Sequence, residues 1–204
     1  MNAPGHTAQY LSATSAEAYV RVLRTWCRDP SEMFFQLVEN RIPIGTYRWR
    51  MGNCVTQLSA NDAVSSLGRS ERPIVVYADP PYTKDHYSRY YHVYESLILY
   101  DFPESTGFGR VRVDRFLSDF CFRTKVFGAF RDLLSLTVGT GIPLLLSYPS
   151  NGLASRSGMN VREFLNSYGA VVETDVRRSH STLGGYRGLV VKEAREHLYL
   201  VQPR

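Results

Sequence analysis

Apolar positions along this chain follow two rhythms. In 15–28, Ala18, Val22 and Trp26 recur every four residues, with Tyr19 and Leu23 beside them. That is the spacing of one helix face, and Ser15 is placed to cap it. Pro30 breaks the pattern. Over 31–40, Met33, Phe34, Leu37 and Val38 form a second helical stripe. Further helices are expected over 61–67, 93–99, 120–136 and 160–168, the longest carrying Val126, Phe127, Phe130 and Leu134 on one face. The second rhythm is that of strands. Tyr47, Trp49 and Met51 alternate with Arg48 and Arg50, which reads as strand and turn within 41–55. Compact apolar runs at 74–78 and 143–148 read as buried strands, and 171–176 and 197–201 as an antiparallel finish.

This alternation of helices and short buried strands predicts an α/β domain with a parallel core. The 204 residues suit one domain with a sizeable core, and 44% apolar residues is ordinary for a globular protein. No run of about 18 apolar residues occurs, so no membrane span is expected. The N-terminus lacks a basic segment followed by an apolar one, so no secretory signal is expected and a cytoplasmic location is. Cys27, Cys54 and Cys121 are few and widely spaced. They fit a reducing compartment and neither a disulfide framework nor a metal site. The net charge of +5 agrees with a nucleic-acid partner without requiring one.

The candidate chemistry gathers at the end of the first compact strand. Ile74 to Ala78 is apolar and β-branched, and it runs into Asp79-Pro80-Pro81-Tyr82. Neither proline has an N–H, so the ladder cannot continue through them. A carboxylate, a fixed turn and an aromatic ring therefore stand at a strand's C-terminal edge, which is where ligands bind in open α/β sheets.

Asp79-Pro80-Pro81-Tyr82 resembles the DPPY motif of the amino-methyltransferases. With the segment that follows as far as Leu97, and with 144–153 and 180–185, the chain resembles the Dam-related, adenine-specific DNA methylases. The resemblance covers the last two thirds of the chain, with its motifs in the family's order. It implies a partial Rossmann-like methyltransferase sheet, mostly parallel, with an antiparallel C-terminal hairpin and helices on both faces. The helical stripes near the start give an N-terminal helical segment over 1–40, and the resemblance implies a target-base domain over 41–204, with a DNA-contacting excursion near 84–125. The implied reaction moves a methyl group from S-adenosylmethionine to N6 of a flipped adenine in double-stranded DNA. Adenine N6 is a weak nucleophile, because its lone pair is delocalised. Asp79 would accept one N6–H and the Pro80 carbonyl the other, with Pro81 fixing that carbonyl's direction and Tyr82 stacking on the base. Asn53, and Asp79 again, are the candidates for contact with the cofactor. Lys84, Tyr87, Arg89, Tyr90, Arg110, Arg112, Arg115, His180 and Ser181 are the candidates for contact with DNA. Ser147 to Asn151 lies at the C-terminal edge of the second compact strand. None of the cysteines follows a proline, as the nucleophile of cytosine-C5 methylases does, and serine usually replaces the motif's aspartate in N4-cytosine enzymes. Both points favour adenine.

The family's cofactor half should carry a Phe-x-Gly-x-Gly-like loop and an acidic residue for the ribose. Neither precedes Tyr77, and Gly107-Phe108-Gly109 is the nearest glycine pair. The expectation is therefore a target-base half whose cofactor loop comes from elsewhere, for instance from a second chain. The alternatives are a non-catalytic DNA-binding module and a truncated remnant.

Overall fold

The computed structural model describes residues 16–67, 74–107, 109–181 and 191–204. They fall into two compact units, 16–57 and 58–204. The first unit holds α1 (Ala16–Trp26), α2 (Pro30–Glu39) and the single turn α3 (Tyr47–Arg50). Asp29 accepts a hydrogen bond from the Ser31 N–H at 2.8 Å, so it caps α2. Pro30 thus begins a helix as well as ending one, since the first turn has no use for its missing N–H.

Residues 47–50 form a helical turn where the alternation predicted a strand. Thr46 Oγ1 accepts from the Trp49 N–H at 3.2 Å, and the Arg50 guanidinium donates to the Gly45 carbonyl. Gly45 takes the left-handed φ of 78° that starts this turn. Local capping wins because Tyr47, Trp49 and Met51 are all exposed and bury no strand face.

The second unit runs through α4 (Ala60–Ser65), β1 (Val76–Ala78), α5 (Tyr87–Tyr90), α6 (His92–Leu99), β2 (Ser105–Thr106) and β3 (Val111–Arg112). It continues with α7 (Val126–Leu136), β4 (Leu144–Pro149), α8 (Leu153–Arg156), α9 (Val161–Asn166), β5 (Ala170–Ser181) and β6 (Val191–Gln202). Four strands make one sheet in the order β1-β4-β6-β5, and β2 and β3 pair separately. Only β1 and β4 run parallel; β4–β6 and β5–β6 are antiparallel. The sheet is therefore mixed, not mostly parallel as expected. The cause is the C-terminal hairpin, whose strands are 12 residues each and whose second strand enters the sheet between β4 and β5. Sequence pattern marked only the apolar part of each, because backbone ladder bonds extend a hairpin without help from apolar side chains.

Alternation along the strands sets the core. Leu144, Leu146 and Tyr148 of β4 turn to one face and meet Tyr199 and Val201 of β6. The amphipathic α7 covers that face with Val126, Phe130, Leu133 and Leu134. Phe130 stands edge-on to Phe120 at 5.1 Å and to Tyr148 at 5.2 Å, the arrangement aromatic quadrupoles prefer. The Tyr148 hydroxyl accepts the Ala154 N–H at 2.9 Å, so the core aromatic also satisfies the start of α8. Gly152 makes room for this: a Cβ there would lie 2.3 Å from the Tyr148 ring.

Phe130 is fully buried and central to this cluster, so Phe130→Ala should cost about 3–5 kcal/mol in urea unfolding. Phe127→Ala, on the partly exposed face of the same helix, should cost clearly less. Equal losses would remove Phe130 from the centre of the core.

Candidate active site

The parallel pairing of β1 with β4 carries Asp79 to its place. Val76, Tyr77 and Ala78 stand opposite Leu144, Leu145 and Leu146, and the Val76 N–H donates to the Pro143 carbonyl at 3.0 Å. Val76 and Ala78 pack on the core, while Val75 and Tyr77 on the other face are each 58% exposed. Asp79 leaves the sheet at that end, followed by the buried Pro80 and the half-buried Pro81 and Tyr82. The Leu153 N–H donates to the Tyr82 carbonyl at 2.8 Å. The proline turn is thus tied to the start of α8, just past the end of β4.

A cavity of about 520 Å³ runs beside β1. Residues 74–81, Ala60, Ala63 and Val64 of α4, His86, Tyr87 and Phe120 are among those lining it. Its wall is mostly apolar, with Asp79 its one carboxylate. Asp79 keeps contact with solvent, but partial desolvation raises it above its ordinary value, and the nearby Glu196 carboxylate raises it further. Burial likewise pushes Tyr87 up to about 12 and raises Tyr82, with Asp79 and Glu196 adding to both. The phenols are therefore neutral hydrogen-bonding rings at physiological pH. His86 is lowered by burial and then by Arg115, which favours its neutral form.

The excursion after Tyr82 is built by local hydrogen bonds. Thr83 Oγ1 bonds to the Asp85 carbonyl at 2.9 Å, and His86 Nδ1 accepts the Ser88 N–H at 3.1 Å, capping α5. Ser88 Oγ donates to the Phe116 carbonyl at 2.6 Å, joining α5 to the segment after β3. Lys84 and Arg110 are exposed, and Arg115 is half-buried. Arg89 pairs with Asp85 at 3.5 Å. Tyr90 is half-buried near Tyr82.

Arg112 departs from expectation. It is buried and grips Asp101 at 2.6 and 2.7 Å and Asp114 at 2.9 and 3.1 Å. Two carboxylates hold its whole fork, so it braces the excursion and is withdrawn from phosphate. Gly107 turns between β2 and β3 with a φ of 71°, so this glycine pair belongs to a small hairpin away from the main sheet. Phe108 lies outside the described residues. Asn53 belongs to the first unit, where its N–H donates to the Arg50 carbonyl at 3.0 Å. His180 and Ser181 end β5, opposite Lys192 and Val191 in register, and 182–185 lie outside the described residues. Glu196 is the site residue that pattern reading missed. Its signal was a charge in line with Leu198 and Leu200 on one face of β6.

The one parallel pair of the mixed sheet thus ends in Asp79-Pro80-Pro81-Tyr82, with Tyr82 and Tyr87 close to a carboxylate that lines the cavity. Residues 39–135 match the model of the D12 class N6 adenine-specific DNA methyltransferase family. It is similar to the modification methylase LlaI of Lactococcus lactis subsp. lactis, 33% identical over 60% of this chain and 20% of that protein. It is also similar to the type II methyltransferase M.NlaIII of Neisseria lactamica, 27% identical over 74% of this chain and 43% of that protein. The type II methyltransferase M.FokI of Planomicrobium okeanokoites is 32% identical over 53% of this chain and 16% of its own length. The chain thus spans less than half the length of each of these curated relatives. No solved structure matches. No helix among the described residues is long and apolar enough to cross a membrane.

Hydrogen bonds from Arg112 hold Asp101 and Asp114 below the ordinary carboxylate value. Their contribution to stability is present above that ordinary value and is lost as pH falls through the depressed ones. The stability gap between the protein and Arg112→Ala should therefore shrink in strong acid. A gap that stays constant down to the acid transition would break this assignment.

Proposed function

We propose that this chain supplies the target-base half of a DNA methyltransferase that moves a methyl group from S-adenosylmethionine to N6 of adenine. The observation that carries the reading is Asp79: a carboxylate that lines the cavity at the end of a parallel strand, followed by a proline turn and ringed by tyrosines, within sequence that matches the D12 class.

The chemistry follows from the groups present. The Asp79 carboxylate accepts one hydrogen of the exocyclic amine, and the Pro80 carbonyl, fixed by Pro81 and by the Leu153–Tyr82 bond, accepts the second. Both acceptors favour a nitrogen that grows more tetrahedral and more positive as it is attacked by an electrophile, and this preorganised field is where catalysis arises. Tyr82 and Tyr87 offer ring faces to a base lifted out of the duplex, each worth about 1–3 kcal/mol of stacking. S-adenosylmethionine supplies an electrophilic methyl group when bound. The cavity beside β1 suits an apolar or flat body in size and lining. Its lining includes no glycine loop for the methionine portion and no second carboxylate for the ribose. Among the described residues, the lining of this cavity therefore fits the base better than the whole donor. Arg110, Arg115 and Lys84 remain the candidates for phosphate contact.

The deciding assay is transfer of labelled methyl groups from S-adenosylmethionine to unmethylated DNA, by this chain alone and together with a chain carrying the cofactor loop. Label on adenine N6 that Asp79→Ala abolishes is the expected result. Salt-sensitive DNA binding without transfer in either arrangement would identify a non-catalytic module instead. The absence of both would identify a remnant. In the same binding measurements, Arg110→Ala should reduce the slope of log affinity against log salt by about one, and Arg112→Gln should not.

Asp79 also links function to stability. Its carboxyl binds a proton more tightly folded than unfolded, so stability falls as pH rises from the ordinary carboxylate value through the raised one. Asp79→Asn should raise the melting temperature slightly while transfer is lost; a lower melting temperature would contradict the raised proton affinity of Asp79.

A further inference from the structure

Strand register brings a second carboxylate to the site. In the β4–β6 pair, Leu145, Ser147 and Pro149 stand opposite Leu200, Leu198 and Glu196. These residues share the face opposite the core, because Leu144, Leu146 and Tyr148 turn inward with Val201 and Tyr199. In the β1–β4 pair, Ala78 stands opposite Leu146 on the core face. Asp79, one residue on, therefore leaves the sheet beside Ser147 and on the face of Glu196. Ser147 Oγ donates to Glu196 Oε1 at 2.7 Å. Three adjacent strands thus set Asp79, Ser147 and Glu196 in a row.

We propose that Glu196, pinned by Ser147, is the positioning residue of Asp79, a fixed negative charge that keeps the Asp79 carboxylate a strong acceptor for the amine of the target base. This rests on the reading that Asp79 engages that base. The two carboxylates have different roles by construction. Glu196 accepts a hydrogen bond from Ser147 that fixes its place, while Asp79 meets the cavity. Among the described residues, the other titratable groups coupled to Asp79 carry no compensating charge. Tyr82 and Tyr87 are neutral phenols, and His86 is held toward its neutral form. From α4, only uncharged residues line the cavity. Glu196 is accordingly the charge that acts on Asp79, over and above burial. An acceptor of higher proton affinity makes the stronger hydrogen bond to an amine that becomes positive.

The test reads Asp79 directly. The full chain, labelled with ¹³C at its aspartate carboxyls, is titrated by NMR, and the Asp79 signal is identified by its loss in Asp79→Asn. Glu196→Gln should move the Asp79 midpoint to lower pH. Glu173→Gln, a carboxylate of the same hairpin on the opposite face, should leave it in place. Ser147→Ala removes the pin without touching either carboxylate and should move Asp79 the same way by less; it decides the matter if Glu196→Gln does not fold. An unmoved midpoint in a folded Glu196→Gln or Ser147→Ala chain overturns the proposal. Where methyl transfer is obtained, the acid limb of its pH profile should move with the NMR midpoint, whereas a merely structural Glu196 would lower the rate at every pH alike. If no transfer is obtained from any arrangement, it is the functional reading that fails, and the titration still decides the pair.

Discussion

Two consecutive prolines decide where the parallel pairing stops, and the site depends on that stop. Without an N–H at either position, β1 cannot add another rung to β4, so the chain must turn out of the sheet at Asp79. A stop alone would leave a loose end. The Leu153 N–H closes on the Tyr82 carbonyl, and the Tyr148 hydroxyl satisfies the Ala154 N–H beside it. The backbone after Asp79 is therefore fixed by the same residues that build the core. Tyr148 belongs to both, since its ring packs on Phe130.

The strand edges were legible in the sequence because each signal there is local. A β-branched run stopped by prolines and a leucine run before Ser147 are each a few residues long and need no partner to be recognised. What escaped the sequence depends on distance or on competition. Arg112 looks like any surface arginine until Asp101, 11 residues away, and Asp114 close its fork. The alternation at 47–51 promised a strand, but Thr46 and Gly45 offered the backbone a cheaper local turn. The mixed character of the sheet came from β6, whose place between β4 and β5 no short window encodes. Glu196 was missed for the same reason, since a glutamate in a strand acquires meaning only from its neighbour across the ladder.

Comparison with the methylases and the site geometry bear on different parts of the chain. The family match ends at residue 135, before β4, the hairpin and Glu196. The carboxylate-bearing turn lies inside the match, while the strands that support it lie beyond. The support nevertheless fits the turn in detail: Ser147 and Glu196 share its face, and α8 is bonded to its carbonyl. Consistency between a short motif and independently placed neighbours is what distinguishes a built site from a chance tetrapeptide.

The sheet order has a consequence for how the chain is made. β6 is the last of the described strands to leave the ribosome, yet it lies inside the sheet, with β4 on one side and β5 on the other. Until it arrives, β4 presents an unpaired edge and the inner face of α7 lacks Tyr199 and Val201. The nascent chain can form most of its helices early, but the sheet closes only once β6 has emerged. A long-range pairing that completes last is slow to form and leaves an apolar edge exposed in the meantime. Until β6 pairs, the open edge of β4 is therefore the surface that must be kept from other chains.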